Sequence, residues 1–122
     1  MEAAVALRSC ELLEDRISSG AVAKTVENFG RVVSETFSDH PRIRRIRQRG
    51  LTACLDLCPE SGASFPPESR FARDACLEAR DRGLLLRPLG NSLPLVPPIV
   101  ISDEEISFLC SIALEAIEAT SY

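Results

Sequence analysis

Gly83-Leu-Leu-Leu-Arg87-Pro-Leu-Gly90-Asn-Ser-Leu-Pro-Leu95-Val-Pro-Pro-Ile-Val100-Ile-Ser-Asp-Glu-Glu105 is the stretch that decides the fold class, because it changes element type several times within one short span. Leu84-Leu85-Leu86 reads as a short buried strand. Gly90-Asn91 supplies turn chemistry, and Leu93 to Val96 reads as a second strand. Pro94 withholds a ladder donor, so this second strand should be an edge or irregular. Ser102-Asp-Glu-Glu105 has the spacing of a capping box. Ile106, Leu109, Cys110, Ala113 and Ile117 then recur at helical intervals. One charge, Arg87, stands among the apolar runs. A guanidinium emerging from such surroundings needs a partner. An internal carboxylate, solvent reached by snorkelling, or a ligand carboxylate held by the planar fork would each serve.

Toward the N-terminus, Gly83 is a helix stop. The helix before it is expected from Pro67, a favoured first helical residue, to about Arg82. Glu68 complements its dipole, and Phe71, Ala72, Ala75, Cys76 and Ala79 form its buried face. Pro59 to Pro67 is a loop rich in Pro, Gly and Ser. Ile43 to Asp56 favours strand, with regular alternation from Leu51 onward: Leu51, Ala53, Leu55 and Leu57 on one side, Thr52, Cys54 and Asp56 on the other. Gly50 suggests a bulge or a close backbone approach. Arg42, Arg44, Arg45, Arg47 and Arg49 crowd this region. They read as the charged protection of an edge strand. No aromatic residues are interleaved for base stacking, which speaks against a nucleic-acid surface.

Two helices are expected before these strands. Val22, Val26, Phe29, Val33 and Phe37 make an amphipathic stripe over Ala21 to Phe37. Ser19 is the expected N-cap, and Pro41 closes the helix behind Ser38-Asp39-His40. Ala3, Ala6, Cys10, Leu13 and Ile17 share one face of a first helix, from about Ala3 to Asp15. The element order is that of an α+β domain, with helices covering one face of a small antiparallel or mixed sheet.

With 122 residues, 45% hydrophobic and 26% charged, the chain has the composition of one globular domain. A net charge of -4 gives no general attraction to nucleic acid or an anionic membrane. No apolar run is long enough to span a bilayer, and the N-terminal residues lack the pattern of a secretory signal. A cytoplasmic protein is expected. Five cysteines, an odd number at wide spacing, argue against a disulfide framework and read as core residues. Cys54 and Cys58 lack a second ligand pair, so no metal site is expected. The single histidine, His40, sits at a helix end beside a proline, and no serine or cysteine has an evident base partner. No Gly-rich phosphate loop follows a strand. No catalytic residue is assigned.

The run Arg82-Gly-Leu-Leu-Leu-Arg87-Pro-Leu-Gly-Asn91, followed by Pro97-Pro98-Ile99-Val100-Ile101 and Glu104-Glu105-Ile106, resembles the C-terminal part of class-III pyridoxal-phosphate aminotransferases. Ile46-Arg-Gln-Arg-Gly-Leu51 resembles a strand pair of their small domain, and Met1 to Asp15 the long helix that leaves the large domain. Within the class, Arg-Pro-Leu-Gly is most similar to the biotin-pathway branch, the adenosylmethionine-8-amino-7-oxononanoate transaminases.

The resemblance implies the small domain of a fold-type-I transferase, corresponding to roughly the last third of such an enzyme. Residues 1–20 would be a helix linking from a large domain, and residues 21–122 the small domain. Its partners would be that large domain and a homodimer mate, with no nucleic acid and no membrane. The whole enzyme uses pyridoxal 5'-phosphate to move an amino group from S-adenosylmethionine to 8-amino-7-oxononanoate. Arg87 matches the arginine that binds the substrate carboxylate. The family's catalytic lysine and cofactor contacts lie in the large domain. The one lysine here, Lys24, sits at a helix start that matches no site. The chain alone is therefore expected to be inactive and to take no cofactor. Another class-III ω-amino-acid transaminase, or an interaction module reusing the fold, is the alternative.

Overall fold

A computed structural model describes residues 1–121 and gives four helices and three strands. The order is α1 (Glu2–Ser18), α2 (Ala21–Phe37), β1 (Ile43–Arg49), β2 (Thr52–Leu57), α3 (Phe71–Asp81), β3 (Ser92–Leu95) and α4 (Asp103–Ala119). The strands form one antiparallel sheet in the order β1-β2-β3, so the expected α+β architecture is the one observed. β1 carries the arginines and is an edge, as expected, and so is β3 with Pro94.

Alternation divides the sheet into two unlike faces. Ala53, Leu55 and Leu57 of β2, with Leu93 and Leu95 of β3, point into the core and are buried. Leu55 pairs with Ile46 on one side and Leu93 on the other. Phe29, Val33 and Phe37 of α2, the predicted face of α3, and Ile106, Leu109, Cys110, Ala113 and Ile117 of α4 close over this face.

Several boundaries differ from the sequence reading. Gly50 is not a bulge. With φ +56° it opens a two-residue turn, Gly50-Leu51, that joins β1 to β2 as a hairpin. The bulge lies instead between Ile43 and Arg45. The extra residue, Arg44, lets Ile43 and Ile46 face the core although they are three apart. α3 starts at Phe71, not Pro67; Pro67 and Glu68 form a turn, and the Ser69 hydroxyl accepts from the Phe71 amide at 3.3 Å. The helix stops as predicted at Gly83, φ +90°, where the amides of Gly83 and Leu84 bond back to Arg80 and Ala79 at 2.9 Å. Ser19 does not cap α2. Gly20 does, in a left-handed conformation, while the Ser19 hydroxyl donates to the Arg16 carbonyl. The capping box at Ser102 and Glu105 forms as expected.

Leu84 to Leu86 forms no strand and pairs with none among the described residues, and Leu85 is 76% exposed, so it is no buried strand. α1 buries none of its residues, and its predicted apolar face lies open to solvent. Cys58, Cys76 and Cys110 are buried as expected; Cys10 is exposed and Cys54 half-buried, against expectation. Burial pushes the Cys110 thiol up to about 11. Among the described residues, no helix is long and apolar enough to cross a membrane.

The outer sheet face carries a polar clamp across all three strands. Arg47 of β1 donates from Nη2 to Asp56 Oδ1 at 2.6 Å and from Nε to Oδ2 at 3.1 Å. The Ser92 hydroxyl of β3 donates to Asp56 Oδ1 at 2.7 Å. The Arg47 hydrogen bond, with help from Ser92 and against some desolvation, holds the Asp56 carboxyl below its usual range.

Two outcomes follow for stability. Leu55→Ala should cost about 2–5 kcal/mol in denaturant unfolding, since a fully buried side chain is lost at the centre of the sheet. Because the folded Asp56 pKa lies below the unfolded value, about 3.9, its contribution is complete above that value and is lost as pH falls through the folded one. Thermal unfolding from pH 6 to pH 3, a range set by the carboxylate value of about 3.9, should therefore show a shallower loss in Asp56→Asn than in the unaltered chain.

Candidate functional site

The sequence singles out Arg87, and the structure sets it at the edge of an apolar groove. The Schellman stop at Gly83 turns the chain out of α3, and Leu84 to Pro88 then belongs to no helix or strand. Pro88 holds the preceding residue, Arg87, out of helical geometry. Leu84, Leu85, Leu86, Pro94, Val96 and Leu109 line the groove with Arg87; its volume is about 360 Å³. Leu89, Val96 and Val100 add exposed apolar surface nearby. Arg87 is exposed and, among the described residues, has no hydrogen-bond or ion-pair partner. The internal ion pair that would have made it structural is therefore not formed among them. A free guanidinium flanked by apolar walls suits an aliphatic carboxylate: the fork takes the charge in two parallel hydrogen bonds, and the walls take the chain.

The arginines of the strand region do different work. Arg42 is a structural hub. It donates to the carbonyls of Ile117 (3.1 Å) and Thr120 (2.7 Å) at the end of α4, pairs with Glu60 at 2.9 Å, and lies 5.5 Å from the Phe71 ring centre. Arg44 ties down the loop through the carbonyls of Gly62 and Ala63 and the Ser64 hydroxyl. His40 stands just past α2, its Nδ1 accepting from the Arg42 amide at 3.2 Å and its Nε2 3.8 Å from Glu118. Among the described residues no group of three or more His, Cys, Asp and Glu could hold a metal.

Pyridoxal phosphate does not fit the residues present. Its chemistry needs a lysine for the Schiff base and an acidic partner for the pyridine nitrogen, held together in a closed site. Lys24 is exposed on α2, in an open groove with Glu27, Asn28, Arg31 and Asp103 that shares no residue with the groove at Arg87. Two features escaped the sequence reading: the clamp of Arg47, Asp56 and Ser92, and the groove beside Arg87. The clamp had a signal, since Arg47 and Asp56 lie nine residues apart and both on the outer side of their strands, across the Gly50 turn.

No protein-family model matches the chain. It is 37% identical over 103 residues to the adenosylmethionine-8-amino-7-oxononanoate aminotransferase of Synechococcus elongatus, an alignment covering 84% of this chain and 23% of that one. It is 29% identical over 119 residues to probable gamma-aminobutyrate transaminase 4 of Oryza sativa subsp. japonica, covering 96% of this chain and 25% of that one. The crystal structure of adenosylmethionine-8-amino-7-oxononanoate aminotransferase from Methanocaldococcus jannaschii superposes with a TM-score of 0.86 over 96% of this chain and 27% of that one, at 24% identity. The chain thus spans about a quarter of the length of these proteins, less than the third expected from the motifs. With sequence similarity over most of its length and the same α+β fold, the chain is similar to the C-terminal part of class-III aminotransferases.

Proposed function

We propose that this chain is the C-terminal small domain of a pyridoxal-phosphate-dependent transaminase of the adenosylmethionine-8-amino-7-oxononanoate type, serving biotin biosynthesis in the cytoplasm, and that Arg87 holds the substrate carboxylate. The observation that carries this reading is the unpartnered guanidinium at the edge of an apolar groove. 8-Amino-7-oxononanoate is a carboxylate on an aliphatic chain, and its two parts match the two parts of the groove.

The division of labour follows from what the chain holds. Residues 21–122 form the small domain, and residues 1–20 run to it from a large domain. The absence of buried residues in α1 supports this, since such a helix completes its packing against something outside the sheet domain. The large domain, and a homodimer mate beside it, would bring the lysine and the phosphate contacts. The cofactor would supply the carbonyl that carries the amino group between substrates. This chain alone is inactive and binds no cofactor productively. The similarity to a gamma-aminobutyrate transaminase favours a second reading, an ω-amino acid as substrate. Arg87 would have the same role there, because such substrates also place a carboxylate away from the amine.

Two experiments test this. When the matching segment of the Synechococcus elongatus enzyme is replaced by this chain, Arg87→Gln should raise KM for 8-amino-7-oxononanoate by about 10- to 100-fold, with Arg87→Lys between, because a bidentate charge-assisted pair is lost. An unchanged KM would remove Arg87 from the site. Separately, the purified chain incubated with pyridoxal phosphate and borohydride should show no turnover and no stoichiometric adduct by mass spectrometry. Reduction at Lys24 accompanied by turnover would contradict the division of labour.

A further inference from the structure

We propose that the clamp of Arg47, Asp56 and Ser92 sets the direction in which Arg87 presents its guanidinium, so that Asp56 is a positioning residue for carboxylate binding. This rests on the reading of Arg87 as the carboxylate-binding residue.

The path is short and stiff. Asp56 accepts from both Arg47 and Ser92 on the outer sheet face, at 2.6 and 2.7 Å. Ser92 is the first residue of β3 and the last of a tight turn. Its amide and carbonyl bond to the carbonyl and amide of Leu89 at 3.0 and 2.9 Å, closing Gly90-Asn91 between them. Asn91 is held from the other side, its carbonyl accepting from the Leu57 amide at 2.9 Å at the end of β2. Leu89 is therefore fixed to the sheet at a known orientation. Pro88 alone separates it from Arg87. The ring locks the φ of Pro88 and confines Arg87 to extended geometry. Little backbone freedom remains between the turn and Arg87, so a rotation of the turn becomes a displacement of the guanidinium. A displacement of about 1 Å at a binding group is enough to lower function severely.

Stability alone does not account for this network. Arg47 is half exposed, and pairs of that kind hold folds together weakly. Ile43 and Ile46 of β1, Leu55 and Leu57 of β2, and Leu93 and Leu95 of β3 already register the three strands from the buried side. What the clamp adds is the orientation of the strand end nearest the turn, and Arg87 is the charged group just beyond that turn.

Amide hydrogen exchange of the whole chain by NMR, with a titration of 8-amino-7-oxononanoate, tests the proposal. Asp56→Ala and Ser92→Ala should each speed exchange at Leu89 and Ser92 by about tenfold while the amides of Ile106 to Ile117 keep their protection, as local opening without global unfolding requires. Both should weaken the titrant by about fivefold or more, in the range of a misplaced contact. Ser92→Thr keeps the hydroxyl and should retain unaltered values in both measurements. Unchanged exchange and affinity in Asp56→Ala and Ser92→Ala overturn the positioning role. If Arg87→Gln abolishes binding while those two variants bind normally, the role of Arg87 stands and the positioning falls alone. If the unaltered chain does not bind the titrant, or binds it equally after Arg87→Gln, the reading of Arg87 falls and the positioning with it.

Discussion

A three-stranded sheet has two faces and enough helix in this chain to cover one. That constraint governs everything else. Leu55, in the middle strand, has Ile46 and Leu93 beside it and helices above it, and is fully buried. Apolar residues on alternate positions of β2 and β3 place one face against α2, α3 and α4, where burial supplies the main driving force. The other face must then be polar, and both outer strands must be protected edges. β1 meets this with arginines and β3 with a proline.

The exposed face and edges are also where the chemistry lies. The arginines near β1 hold the end of α4, the loop before α3 and the outer sheet face, so most of that charge is tied into the fold. Arg87 differs in setting rather than in exposure. It follows an apolar run that joins no strand among the described residues, and it lines a groove that the fold leaves unfilled. An apolar wall beside a free cation is poor packing for a domain in isolation. It is suitable for receiving an amphiphilic acid, and the open apolar side of α1 is suitable for receiving another domain.

Much of this was readable from residue order because it depends on local rules. The faces of α2, α3 and α4 follow from helical spacing, the stop at Gly83 from glycine's tolerance of positive φ, the start of α4 from the capping box, and the inner face of β2 from strict alternation. Arg87 was also visible, both as a charge among leucines and through the motif around it. Local rules fell short where two residues of similar propensity competed. Gly50 could bulge or turn, and pairing between β1 and β2 made it a turn. Pro67 could start a helix, but it lies in a turn with Glu68 and the helix begins at Phe71, whose ring is buried. The triple leucine could be a strand, but no neighbour offers it a ladder.

The sequence by itself determined the α+β class, the buried faces of α2, α3, α4 and β2, the element order apart from one strand, and the family that the motif resembles. Tertiary structure decided what surrounds each charge. That Asp56 joins Arg47 to Ser92, that Arg42 closes α4, and that Arg87 lacks a partner among the described residues and borders a groove all depend on groups distant in the chain being brought together. Periodicity tells which side of an element a residue faces. It carries no information about which group from another element will meet it there, because strand register and helix packing set that meeting, and both arise only when the whole chain folds.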